Sequence, residues 1–192
     1  SSISISVLQN SGTVDVNNSL LVNILSNLQN DGTINLGVAD TLQFSNDATL
    51  SGTGTINIPP GVHADIELSS DTIPFVHPLT HTIVVDGDLD FPANTGEITN
   101  DGDIIVQNGG LLKINPDGEF VNNGLLRTTD ASSLTRWDAN AASDRFIDNG
   151  TWETINSAQL AIGNGVLQDV TILTDGTAQV TITGSTDLQN VI

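Results

Sequence analysis

A nine-residue phrase, apolar–x–x–x–Gly–x–apolar–x–apolar, keeps returning along this chain. It reads LQNSGTVDV from Leu8, LQNDGTINL from Leu28, LSGTGTINI from Leu50 and IVVDGDLDF from Ile83. It returns as ITNDGDIIV from Ile98, FVNNGLLRT from Phe120, FIDNGTWET from Phe146 and ILTDGTAQV from Ile172. The phrase glycines are Gly12, Gly32, Gly54, Gly87, Gly102, Gly124, Gly150 and Gly176, with spacings of 20, 22, 33, 15, 22, 26 and 26 residues. A turn followed by a period-2 strand, repeated at that interval, is the signature of stacked β-units.

Period-2 segments fill the space between these turns, among them Ile3–Ile5–Val7, Val14–Val16, Ile34–Leu36, Ile56–Ile58, Ile104–Val106 and Val180–Ile182. Each is bounded by Asn, Asp or Gly, which form sharp corners because they accept left-handed backbone. Helix signals are nearly absent. The best candidate, Leu20 to Leu28, also reads as a strand plus a turn. Three short strands and three corners use about 22 residues per coil, each coil lying about 4.8 Å from the last. The pattern therefore predicts a single domain over residues 1–192, a parallel β-helix (β-solenoid) of about eight coils. Parallel crossovers favour the right-handed form. A β-sandwich or jelly roll is the alternative, since it too has short strands at regular spacing. Two stretches break the period and read as loop insertions. One, near 59–82, holds four of the six prolines and all three histidines; the other, near 130–146, holds Trp137.

Composition narrows the function. Lys113, Arg127, Arg136 and Arg145 are the 4 strong cations against 23 acids, a formal charge of −19. A phosphate backbone or an anionic membrane is repelled by such a chain, so no nucleic-acid partner is expected. No apolar run approaches the roughly 20 residues that span a bilayer, so no membrane insertion is expected. The chain has no Cys, Met or Tyr, and its apolar residues are mainly Ile, Val and Leu, which predicts a core of stacked aliphatics rather than aromatic clusters. The opening SSISISVL alternates like a strand and not like a signal peptide, which suggests a mature or excised end.

The phrases QNDGTINL, TNDGDIIV, NNGLL and DNGTWET resemble the repetitive passenger regions of large bacterial surface proteins of the filamentous-haemagglutinin and autotransporter-adhesin type, and more distantly phage tailspikes. The resemblance runs from Leu8 to Val180 and lies in repeat texture. It implies a secreted or cell-surface, elongated, non-enzymatic protein, and carries over no functional residue.

Four groups of residues stand out. Asp86, Asp88 and Asp90, with Asp101 and Asp103 in the next phrase, would bring carboxylates together if Gly87 and Gly102 stack, a set suited to Ca²⁺. The alternative is a row of solvated turn aspartates; no other cofactor is expected. Arg136, Trp137 and Arg145 form the one cationic and aromatic cluster, read as a contact for a partner or surface glycan, or else as a Trp closing a coil. His63, His77 and His81 read as loop histidines, with a three-His metal site as the alternative. Asn17 and Asn149 fit the N-glycan acceptor pattern in a chain where chance matches are expected. Carboxylates without an aromatic platform or apolar pocket argue against glycan cleavage, so no catalytic residue is assigned.

The ends complete the reading. Ile3, Ile5 and Val7 alternate with Ser2, Ser4 and Ser6, and Val180, Ile182, Val191 and Ile192 are apolar at the far end. Neither end shows a polar cap. The expectation is an extracellular structural subunit or segment that joins copies of itself end to end into a filament, sheath or stalk. A glycan-binding or glycan-cleaving module is the rival.

Overall fold

The computed structural model describes residues 1–17, 19–45, 48–69, 74–92, 97–115, 117–139, 141 and 143–192. Its paired strands are parallel and form three sheets that close around one interior. The first sheet passes through Ser2–Asn10, Leu21–Asn30, Asp40–Phe44, His63–Leu68, Asp88–Phe91, Leu111–Ile114, Leu134–Trp137, Gln159–Ile162 and Gln179–Ile182. The second is 8-stranded, from Thr13–Val16 to Ile172–Thr174. The third runs from Phe75–His77 through Ile98–Asn100, Glu119–Asn122, Arg145–Asp148 and Gly165–Gln168 to Thr186–Gln189. The long strands Ser2–Asn10 and Leu21–Asn30 turn the corner between first and third faces, and Thr49–Ser51 pairs with the second half of the latter. Among the described residues there is no helix, and Leu20–Leu28 falls largely in a strand. The fold is a parallel β-solenoid of about 8 turns, and a sandwich is ruled out by its pairing.

Like residues stack on like. Ile34 pairs with Ile56, and Ile104 pairs with Leu126, in adjacent strands of the second sheet. The inward column there continues from Val14 through Ile83 and Trp152 to Ile172. Mid-stack members such as Ile56, Ile83, Ile104 and Leu126 are fully buried. At about 25 cal/mol per Å² of apolar surface, such columns are the main favourable contribution to folding.

Six of the eight phrase glycines share one corner, between the third and second faces. Thr33, Thr55, Leu125 and Thr151 donate their backbone N–H groups to the carbonyls of Gly12, Gly32, Gly102 and Gly124 at 2.8–2.9 Å. A Cβ on Gly32, Gly124 or Gly150 would run into the carbonyl oxygen of the glycine one coil earlier. His81 holds this corner in the coil between Gly54 and Gly102, since Thr82 donates to Gly54 and Asp103 to His81. Gly87 and Gly176 lie instead between the second and first faces, Gly87 accepting from Leu111 N–H at 2.8 Å. Both corners are followed by period-2 strands, so one phrase fits both. The odd spacings of 33 and 15 arise because Gly87 belongs to a different column.

Three expectations are corrected. The described residues of the stretches near 59–82 and 130–146 are not loop throughout. They hold His63–Leu68, Phe75–His77, Leu134–Trp137 and the start of Arg145–Asp148, all paired in the sheets. Pro59, Pro74 and Pro78 sit outside strands, where a missing N–H costs no ladder bond. Residues 70–73, 140 and 142 of these stretches lie outside the described residues. Secondly, the core is not purely aliphatic. Phe146 stacks on Phe120 at 5.1 Å and on Trp152 at 4.3 Å, with Trp137 edge-on at 5.6 Å. Thirdly, Ile3, Ile5 and Val7 do not share a face. The register shifts between Ile5 and Val7, so Leu8 rather than Val7 follows Ile5 inward, over Leu28.

Candidate functional site

A polar column runs through the interior of the third face, two residues along the strands from an apolar one. Asn10, Asn30, Asn100 and Asn122 all occupy inward positions and are buried. Asn10 Nδ2 donates to Asn30 Oδ1 at 2.8 Å, Asn100 Nδ2 to Asn122 Oδ1 at 2.7 Å, and Asn122 Nδ2 to Asp148 Oδ1 at 2.8 Å. Each amide also donates to a backbone carbonyl in the next coil: Asn10 to Thr33 at 3.0 Å, Asn30 to Thr55 at 3.1 Å and Asn122 to Thr151 at 3.2 Å. Those second bonds fix which amide atom is nitrogen. The column therefore points one way.

Gly52 interrupts it. Gly52 follows Ser51, which pairs with Gln29, so it stands opposite Asn30 and brings no side chain. Two histidines bridge the gap. Asn30 Nδ2 lies 3.0 Å from His81 Nε2, His81 Nδ1 lies 3.1 Å from His77 Nε2, and His77 Nδ1 lies 2.5 Å from Asn100 Oδ1. Because Asn30 must donate, both imidazoles are neutral and protonated on Nδ1, His81 donating to His77 and His77 to Asn100. Burial pushes His77 down to about 4, against the opposing pull of its Asn100 hydrogen bond and of Asp103 and Asp101. His81 is lowered to about 4 by burial and then by His77. Both side chains are in the core, His77 from a strand and His81 from the turn that follows it, and the three-His site does not form because His63 projects from the outer surface of the first sheet. At the far end, burial raises the Asp148 carboxyl, opposed by the Asn122 and Gly150 hydrogen bonds.

The aspartates grouped on the Gly87 and Gly102 phrases separate. Asp88 pairs with His63 and Leu111 in the first sheet, and Asp103 pairs with Thr82 and Leu125 in the second. Asp86 accepts from Asn108 Nδ2 at 3.1 Å, and Asp101 from Asn123 Nδ2 at 2.8 Å. Stacking of Asp86 on Asp101 and of Asp88 on Asp103 is thus corrected: the two glycines are at different corners. Asp90 leaves this group for another. It pairs with Asp65, lies 3.9 Å from His63 Nε2, and meets Lys113 Nζ at 3.1 Å. Position alone could not reveal that cluster, because Asp65 and Asp90 meet only once the register of the first sheet is known.

The Arg136, Trp137, Arg145 cluster also dissolves. Trp137 is fully buried against Phe146 and closes the coil, so it is not a contact residue. Arg136 faces out of the first sheet and pairs with Asp138, whereas Arg145 begins a strand of the third sheet and lies 3.9 Å from Glu119. Asn149 caps a corner, donating to Asn123 Oδ1 at 3.0 Å, while Asn18 of the other acceptor pattern lies outside the described residues. No helix among the described residues is long and apolar enough to cross a membrane.

No protein-family model, curated protein or solved structure matches the chain. The fold itself defines the class, a parallel β-solenoid built from sequence repeats.

Proposed function

We propose that this chain is an extracellular structural β-solenoid segment that joins copies of itself end to end in a filament, sheath or adhesin stalk. One observation carries the reading: three inward columns reach both ends of the stack aliphatic and open. The first-face column begins at Ile3, 48% exposed, and ends at Ile182, 50% exposed. The third-face column begins at Leu8 and ends at Leu188, and the second-face column begins at Val14 and ends at Ile172. A second copy placed on the same axis continues all three, aliphatic on aliphatic, and pairs the edge strands. Val180 and Ile192 are exposed beside them, and Val191 packs partly against the core. The outer surface offers no aromatic platform for a sugar, since every Phe and Trp is buried.

Sedimentation velocity and electron microscopy across a concentration series test the proposal. Axial stacks are expected, and deletion of residues 1–7 should abolish them while β-sheet circular dichroism persists. Monomers at every concentration, or stacks undiminished by the deletion, would refute it.

A further inference from the structure

We propose that His63, Asp65 and Asp90 form a binding site for a first-row transition-metal dication of the zinc type. The parallel register builds it. His63–Leu68 pairs with Asp88–Phe91 so that His63 stands beside Asp88 and Asp65 beside Asp90. His63, Asp65 and Asp90 alternate with the buried Ala64, Ile66 and Leu89, which turns all three side chains to the same outer face. His63 Nε2 is 3.7 Å from Asp65 Oδ1 and 3.9 Å from Asp90 Oδ2, and the three donor atoms lie within 4.8 Å of one another. A tetrahedral ion with bonds of about 2.1 Å holds its ligands about 3.4 Å apart. The two His63 separations exceed that by 0.3 and 0.5 Å, and the two carboxylates, within 4.8 Å, close by up to about 1.4 Å through rotation of partly exposed side chains.

The donor set selects the metal. One imidazole nitrogen with two carboxylate oxygens suits zinc, iron, nickel or cobalt, with a coordination position left for water. Calcium wants six to eight oxygens and gains nothing from imidazole. Electrostatics favour a cation at this spot. Asp65 directly opposite Asp90 is a like-charge pair, which destabilises a ladder. Lys113 Nζ straddles the Asp90 carboxylate, 3.1 Å from Oδ1 and 3.2 Å from Oδ2. It neutralises Asp90 from the neighbouring coil and bonds the same Oδ2 that faces His63. Lys113 is then the competitor that a metal must work against. This site lies on the flank of the stack and does not depend on how the ends associate.

Calorimetric titration of the full chain with Zn²⁺ tests the site, with the imidazole proton resonances followed in parallel. Saturation at one ion per chain is expected, shifting the His63 resonances and leaving those of buried His77 and His81 in place. His63→Ala should weaken affinity at least about tenfold, since a ligand matters no less than an outer-shell partner. Lys113→Ala should tighten binding, Asp103→Asn should leave it unchanged, and excess Ca²⁺ should not displace the zinc. No saturable uptake, uptake unaffected by His63→Ala, or ready displacement by Ca²⁺ would overturn the assignment.

Discussion

Two columns run side by side within the third face and obey different rules. The apolar one accepts Leu28, Leu50, Phe75, Ile98, Phe120 and Phe146 in turn, varying in size and shape from coil to coil. Apolar burial has no direction, so any residue of adequate volume serves. The polar column beside it has no such latitude. Each amide must accept from the coil before and donate to the coil after, because an unpaired buried polar group costs about 1–3 kcal/mol. At Gly52 the difference becomes visible. Leu50 continues the apolar column, whereas in the polar column His81 fills the vacant position and links Asn30 to His77, the residue in register with Asn100.

The largest effect is expected from cutting the apolar column at its aromatic centre. Phe146→Ala removes the stacking on Phe120 and Trp152 and should cost about 3–5 kcal/mol by chemical denaturation. Swaps of similar size separate the columns more finely. Phe120→Leu should cost less than about 1.5 kcal/mol plus its lost stacking, whereas Asn122→Leu should cost about 2–3 kcal/mol. The latter removes the side-chain acceptor of Asn100 Nδ2, one of the two donors to Asp148 Oδ1 and the amide bond to the Thr151 carbonyl together. Equal costs for the two swaps would erase the distinction.

Acid probes the histidine bridge. Both imidazoles are neutral in the fold and titrate near 4, below the ordinary 6.5, so the unfolded chain binds more protons between those values. The bridge's contribution to stability is complete above pH 6.5 and is lost as pH falls toward 4. Asp148 works in the opposite sense, since its raised carboxyl takes up a proton first in the fold. Melting temperature should therefore drop between pH 6.5 and 4, and His77→Gln with His81→Gln should flatten that slope. The smallest effect belongs to the outer surface. The pair Arg127–Glu153, at 2.6 Å, should contribute about 0.2–1 kcal/mol in a double-mutant cycle and fade with salt.

The fold was legible in the sequence because its signal is local: a glycine corner and the two or three apolar residues after it. Ile34 over Ile56 follows from the phrase alone. What escaped is everything that depends on which corner a phrase occupies. Gly87 and Gly102 head near-identical phrases, yet one turns into the first face and the other into the second, which scattered the predicted aspartates. Asp65 lies outside any phrase, so its meeting with Asp90 and His63 had no sequence signal. The histidines at HPLTH looked like loop residues because Pro78 separates them, and Gly52, the reason they are needed, is 25 and 29 residues upstream. Gly52 and His77, standing where the neighbouring coils have Asn, were the clue available.

The one-way order of the buried amides also gives the molecule an electrical axis. Backbone dipoles in a sheet nearly cancel, since neighbouring groups alternate in direction. The side-chain amides do not alternate: from Asn10 to Asn122 every NH₂ points toward the C-terminal end, through two imidazoles of matching orientation, and the series terminates on the Asp148 carboxylate. Their moments add along the axis, as peptide units do in a helix, and the anion sits at the positive pole where it is favoured. A stack of copies aligned head to tail would sum these moments into a polar rod. Such a rod orients in an applied electric field, whereas one built of alternating head-to-head pairs has no net moment to turn it.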